Sequence, residues 1–450
     1  MKSLGAVLQR AMAVVMMVAV LAPLAVAQTA SVNGPEPTLV FEALRALRTN
    51  YVDPIDAAKV LNGAAEGLRS QLSSAGVSAT VGGIPAGTAE AEARQLFGEQ
   101  FASAAAAAGT SLTPAQLSYA AIRGMTEAFK DSHTGFLTPQ QNAERRSRQR
   151  GQAGFTGVGV ILMPKDDKFF VWSVIPGGPA EGMGVREFDR ILKVNDASTT
   201  GMTVDQVSGM IRGAPGTPVT LTLGRSGLSE PLAITITRGP IVVPSIFKAE
   251  VVEGGIGYIK LYQFVEGTAR DFRAALSRLM AQRMRVLVLD LRGNGGGYLH
   301  ELNGVMNALL PNNLPVYTEI RQGGMTRVQR TNATPMLPTT MPVWVLVDEG
   351  SASAAELLSA ALQENKRGQL IGEKTAGAVE ASVMIDLSDG SALSVTTFRL
   401  ATGRGVRLEG VGVRPDIEAV LSAADIEAGQ DRVLGTALRM ARQFLAQSSR

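Results

Sequence analysis

The sequence predicts an α/β protein assembled from three parts: a helical N-terminal region, a small strand-rich module, and a larger core in which buried strands lead into helices. Three observations predict it. Apolar residues keep helical spacing from about Pro37 to Phe129, glycines punctuate alternating strands from Gly154 to Pro240, and beyond Ile241 two apolar runs end in small residues just before helical segments.

Residues 1–27 read as a leader. Lys2 and Arg10 give a positive start, Ala11 to Val26 is almost wholly apolar, and Ala25-Val26-Ala27 suits signal peptidase. The chain is therefore expected to be exported, periplasmic or extracellular. Membrane association is expected only if this segment stays uncleaved, and its apolar run is shorter than the ~20 residues of a spanning helix.

Residues 28–150 form the helical region, with Leu39, Leu44 and Leu47 and later Leu117, Ala121 and Met125 on apolar stripes. Glu144 to Gln152 is charged and poor in apolar residues, so a linker or hinge is expected there.

Residues 151–240 form the second part. Gly154 to Val160 places glycines around Phe155 just before a strand, so that the amides of Gly157, Val158 and Gly159 can point at a carboxylate. A helix from about Thr203 to Ile211 follows.

Residues 241–450 carry the chemistry, and residues 31–150 are expected to pack against them. Met284 to Leu291 is a buried-strand run that ends in Arg292-Gly293-Asn294-Gly295-Gly296-Gly297, where backbone amides are left free. A second strand, Pro342 to Val347, leads through Asp348-Glu349-Gly350-Ser351-Ala352-Ser353 into a helix, which has the logic of a nucleophile elbow. Ala423 to Leu445 has the spacing of an amphipathic helix able to dock on the core or on a partner.

Composition narrows the chemistry. With no cysteine, thiol nucleophiles, disulfides and thiolate metal sites are excluded, and with only His133 and His300 a histidine-rich metal centre is excluded too. A formal charge of +3 gives no basic footprint for nucleic acid. No cofactor or metal is expected.

Two resemblances follow from these residues. Gly154 to Val160, Gly178-Pro179-Ala180-Glu181 and Phe188-Asp189-Arg190-Ile191-Leu192-Lys193-Val194-Asn195 together resemble a PDZ domain, with Phe188 standing where glycine is usual. With D-L-R-G-N-G-G-G, D-E-G-S-A-S-A-A-E and I-G-E-K-T, the chain resembles the carboxy-terminal processing (tail-specific) serine proteases. That resemblance implies a crotonase-like α/β core of the ClpP/crotonase kind with mixed sheets, an inserted PDZ domain, and cleavage near the C-termini of polypeptide substrates. Ser353 takes the family's nucleophile position, Ser351 being its near neighbour.

One position departs from the family. Where its best-known members place a catalytic lysine, in T-F-G-K, this chain has Thr375-Ala376-Gly377-Ala378. Alanine cannot act as a base. Asp131-Ser132-His133-Thr134 resembles the serine-histidine pair of the tricorn core protease and the histidine of the chlamydial protease-like activity factor, and Glu409 lies in a context matching their glutamate. The resemblance then implies Ser353 as nucleophile, His133 as base, Glu409 orienting it and Ser132 helping, with an oxyanion hole from Ala354 and from Gly295 or Gly296. Lys374 and His300 are other base candidates, and Glu409 could instead pair with Arg407. Two alternatives stand: a binding or scaffold protein on the same fold, as in the interphotoreceptor retinoid-binding protein, or a serine-lysine protease whose lysine is replaced by alanine. Homo-oligomerisation through helical ends is left open.

Overall fold

The computed structural model describes residues 37–130, 133–149 and 155–448; the expected leader and Ser132 lie outside the described residues. No helix among the described residues is long and apolar enough to cross a membrane.

The N-terminal region folds into helices α1 (Thr38–Asn50), α2 (Ala57–Ser74), α3 (Glu90–Ala108) and α4 (Pro114–Glu127). Local sequence fixes their starts. Asp56 caps α2 by accepting the Ala58 amide at 2.9 Å, and Thr113 and Gln116 form a capping box ahead of Pro114. α2 and α4 cross in close contact because Gly63, Gly67 and Gly124 lack side chains there. A Cβ on Gly124 would sit 2.1 Å from the Gly63 carbonyl oxygen. The apolar stripes of the helices close over Leu393 and Val395 of the long strand Ala392–Thr402, which ties this region to the core.

Two sheets build the core. The first runs in the order Ile246–Val252, Ile256–Leu261, Val286–Asp290, Val343–Val347, Gln369–Gly372 and Ile417–Glu418, parallel after its first, antiparallel pair. Its central strands are buried along their whole length, as expected of parallel strands covered on both faces. Helices Thr268–Ala281, Leu299–Leu309 and Ala354–Glu364 cover one face. The other is covered by the C-terminal helix Arg432–Gln447 and by Phe170 and Trp172 of the strand-rich module. In the second sheet, Ala392–Thr402 pairs with Gly135–Leu137, Ala381–Asp386 and Pro315–Arg321, and the last of these pairs with Thr326–Arg330.

The inserted module is a sheet in the order Val160–Lys165, Lys168–Val174, Arg190–Val194, Pro218–Gly224 and Leu232–Thr237, with a helix at Val204–Ile211 capped by Thr203 and Gln206. It is fastened to the core by charge as well as by packing. The Lys260 ammonium reaches Ser173 Oγ at 2.6 Å and Glu187 Oε1 at 2.8 Å, while Lys168 and Arg190 both meet Glu427. Trp172 lies under Lys260 and Arg292, 5.0 and 5.1 Å from its ring centre. Phe188, the residue in place of the usual glycine, keeps the left-handed backbone that glycine would adopt, with φ of 71°, and stacks obliquely on Trp172.

Two expectations are corrected. The stretch expected to be a linker is largely helical, since a helix spans Pro139–Gln149. Charge density does not separate a solvated helix from a loop, and this helix is held by buried Asn142, which donates to Asp386 Oδ1 and the Gly390 carbonyl, both at 3.0 Å. The single C-terminal helix is two, Ala423–Glu427 and Arg432–Gln447, because Gly429 takes a φ of 67° and Asp431 starts a new helix by accepting the Leu434 amide.

Candidate active site

The second apolar strand of the core, Val343–Val347, delivers Asp348, and the chain then turns sharply into helix Ala354–Glu364. Ser353 sits at the turn with φ 55° and ψ −118°, a conformation that costs a non-glycine residue on the order of 1–3 kcal/mol. It is partly exposed, at the mouth of the helix. Ser351, by contrast, is fully buried and donates to the Leu291 carbonyl at 2.8 Å, so it is a structural tie. Asp348 joins the two strand ends by accepting the amides of Gly293 at 2.8 Å and Gly350 at 3.0 Å. Burial pushes the Asp348 carboxyl up, and those amides oppose the shift.

The glycine run lies against the elbow. A Cβ on Gly296 would stand 2.6 Å from Ser353 Cβ, and one on Gly297 would stand 2.1 Å from the Phe264 carbonyl oxygen, so neither position tolerates a side chain. The amides of Gly295 and Ala354 have no acceptor within the protein among the described residues. Gly296 departs from expectation. Its amide is captured by Asn294 Oδ1 at 2.9 Å, a local side-chain-to-backbone bond that removes it from the free donors.

A loop at residues 375–380 connects the elbow to His133. Glu356, fully buried on the first turn of the helix, accepts four hydrogen bonds. Its Oε1 takes the Thr375 hydroxyl at 2.6 Å and the Gly377 amide at 2.7 Å, and its Oε2 takes the amides of Ser353 at 3.0 Å and Ala378 at 2.9 Å. Ser353 and Ala378 thus share one carboxylate oxygen. The next two amides turn to a second carboxylate, Val379 and Glu380 donating to Glu409 Oε2 at 2.7 and 3.0 Å. The other oxygen of Glu409 lies 3.6 Å from His133 Nε2, with both side chains mostly shielded. The segment bearing His133 is anchored to the long strand, where Ser394 Oγ donates to the His133 carbonyl at 2.7 Å and the Thr396 amide donates to Thr134 Oγ1 at 3.1 Å.

The loop thus links Ser353, through Glu356 and Ala378, to Glu409 and His133. Arg407 is not the partner of Glu409; it pairs with Glu380 at 3.2 Å. Lys374 is exposed, and His300 is an exposed residue stacked on Tyr298 and paired with Glu266. Glu356 was legible only as the marker that locates the serine. Its structural signal was the Ser-x-x-Glu spacing of a capping box. Glu380 and Arg399, which meet beside this loop at 3.3 Å, gave no sequence signal.

In the inserted module, the short strand Phe155–Gly157 pairs with Gly239–Ile241, and Val158 and Gly159 connect it to the strand Val160–Lys165; the Phe155 side chain lies outside the described part. Gly159 has φ of 85° and packs against Gly178, whose Cα a Cβ would meet at 3.1 Å. Val158 is buried and its carbonyl accepts the Ala180 amide at 2.7 Å. Among the described residues the strand Val160–Lys165 pairs on one side only, and helix Val204–Ile211 lies beside it.

An elbow serine beside glycine amides, in an α/β core that carries such a module, defines a serine-type peptidase with a PDZ domain. Comparison with known families agrees: the model of peptidase family S41 matches residues 255–419 and that of the PDZ domain matches residues 142–224. The chain belongs to peptidase family S41, among the carboxy-terminal processing proteases. It is 33% identical over 320 residues to the carboxy-terminal-processing protease of Bartonella bacilliformis, covering 70% of this chain and 72% of that one. It is 32% identical to carboxy-terminal processing protease CtpA of Bacillus subtilis, covering 67% and 63%. Among solved structures, the photosystem II D1 C-terminal processing protease superposes with a TM-score of 0.54 at 27% identity, over 86% of this chain and 93% of that one.

Proposed function

We propose that the protein is an exported endopeptidase in which Ser353 attacks the scissile carbonyl, His133 takes its proton and Glu409 holds the imidazole. The observation that carries this reading is the loop at 377–380, whose consecutive amides bind Glu356 beside Ser353 and then Glu409 beside His133. Glu409 faces His133 Nε2, and its carboxylate offsets the positive charge the ring acquires when it takes the serine proton. The tetrahedral oxyanion is met by the amides of Ala354 and Gly295, each donor contributing ~3 kcal/mol in comparable sites. The imidazolium then returns its proton to the leaving amine. Water, deprotonated by the same base, hydrolyses the acyl-serine. Ser132 is assigned a supporting place beside His133.

Substrate selection falls to residues 151–240. A polypeptide with an apolar C-terminus adds as a strand to the outer edge of Val160–Lys165 against helix Val204–Ile211, with its carboxylate at Phe155, Gly157, Val158 and Gly159. The flanking divisions are 28–150 for the helical region and 241–450 for the protease core, with 1–27 as the export signal.

The test is hydrolysis of casein by the mature chain, by Ser353→Ala, by His133→Ala and by Ala378→Lys. Activity that requires both Ser353 and His133 supports the reading. An inert chain that Ala378→Lys activates overturns His133 as the base in favour of a disabled serine-lysine enzyme, and a chain inert in every form points to a binding protein.

A further inference from the structure

We propose that Arg399 is a positioning residue for this site, acting through Glu380 on the loop that holds Glu409, and that it ties the helical N-terminal region to catalysis. The inference rests on the role given to Glu409 above. Strand Ala392–Thr402 runs antiparallel to Ala381–Asp386 with Phe398 opposite Ala381, so the register sets Arg399 beside Glu380. The guanidinium uses its whole fork. Nη1 and Nη2 grip Asp53, the former at 2.9 Å, and Nε meets Glu380 Oε1 at 3.3 Å.

Asp53 lies just before α2, in the connection from α1. The two helices and the catalytic loop are therefore bridged by one planar cation that lysine, a point charge, cannot replace.

The consequence passes through the main chain. Glu380 has a side chain only 12% exposed, and its own amide is one of the two donors on Glu409. A carboxylate shielded to that degree needs its cation. Without Arg399 it turns toward water, its backbone moves with it, and Glu409 loses the donors that aim it at His133. Arg407 shares the same oxygen of Glu380, but it is 56% exposed and solvent screens its contribution.

The experiment compares the full chain with Arg399→Gln, Asp53→Asn, Glu409→Gln and the double variant Arg399→Gln/Glu409→Gln, measuring kcat and KM on dye-labelled casein and thermal unfolding of each. The expected result is a fall in kcat of about tenfold or more for both Arg399→Gln and Asp53→Asn, with KM within about twofold, since a small misalignment of a catalytic group acts on turnover. Adding Arg399→Gln to Glu409→Gln should cost nothing further. Should Arg399→Gln fail to fold, the half-exposed Asp53→Asn carries the test. Wild-type kcat in Arg399→Gln and Asp53→Asn, or losses that simply add to that of Glu409→Gln, overturns the proposal while leaving Glu409 in place. Wild-type kcat in Glu409→Gln overturns the role of Glu409 and this inference with it.

Discussion

Replacing Glu356 by glutamine keeps the side chain's volume and removes its charge. The wild-type carboxylate accepts two hydrogen bonds on each oxygen in a fully buried site. Glutamine can present its carbonyl to only one of those pairs; the other two donors then face an NH2 group with nothing to accept them. A hydrogen bond to a charged group is worth about 1.5–3 kcal/mol, so losing two costs about 3–6 kcal/mol. That is a large part of the roughly 5–15 kcal/mol by which a domain of this kind is stable. Peptidase activity should fall in parallel, because either orientation of the amide frees the loop from Glu356 at Gly377 or at Ala378. Urea unfolding followed by circular dichroism, with casein hydrolysis at each concentration, measures both effects. A stability within about 1 kcal/mol of wild type would show that the amides do not depend on this carboxylate, and the account of the loop would fail.

Three further outcomes are expected. Phe188→Gly should unfold at a higher temperature than Phe188→Ala, by the equivalent of about 1 kcal/mol, because both lose the ring on Trp172 and only glycine relieves the positive φ; the reverse order refutes the strain. Gly124→Ala should cost about 1–3 kcal/mol in urea unfolding, since its Cβ would press on the Gly63 carbonyl and push α2 from α4. Stability should also fall in acid. Burial would raise the Asp290 carboxyl, but the charge and hydrogen bonds of Arg292, aided by Lys260, outweigh it and hold the group below its ordinary value. The stability it contributes is therefore present above the unfolded value of about 3.9 and is lost as pH drops through the lower folded one; a flat urea midpoint from pH 5 to 2 would contradict this.

Where the sequence pattern reflects local physics, it located structure well. The helix expected from about Thr203 to Ile211 is found at Val204–Ile211, and Asp348 to Ser353 reads as a turn because small residues after a buried strand leave the chain free to bend. The stretch after Glu144 reads as a linker because polarity is common to linkers and to solvated helices, and the deciding contact, Asn142 with Asp386, joins residues far apart in the chain. The same limit hid the site's frame. Glu356, Glu380 and Arg399 meet partners that only the fold assembles, and the loss of Gly296 as a free donor depends on the rotamer of Asn294.

The loop that carries Ala378 is held at Gly377, Ala378, Val379 and Glu380 by main-chain amides. Every residue type except proline supplies such an amide, so the loop's shape places little demand on the side chain at 378. A change of side chain at this position is then a change of chemistry without a change of scaffold. Position 378 is open to an engineer seeking a site for a reporter group on the loop that shares a carboxylate oxygen of Glu356 with Ser353.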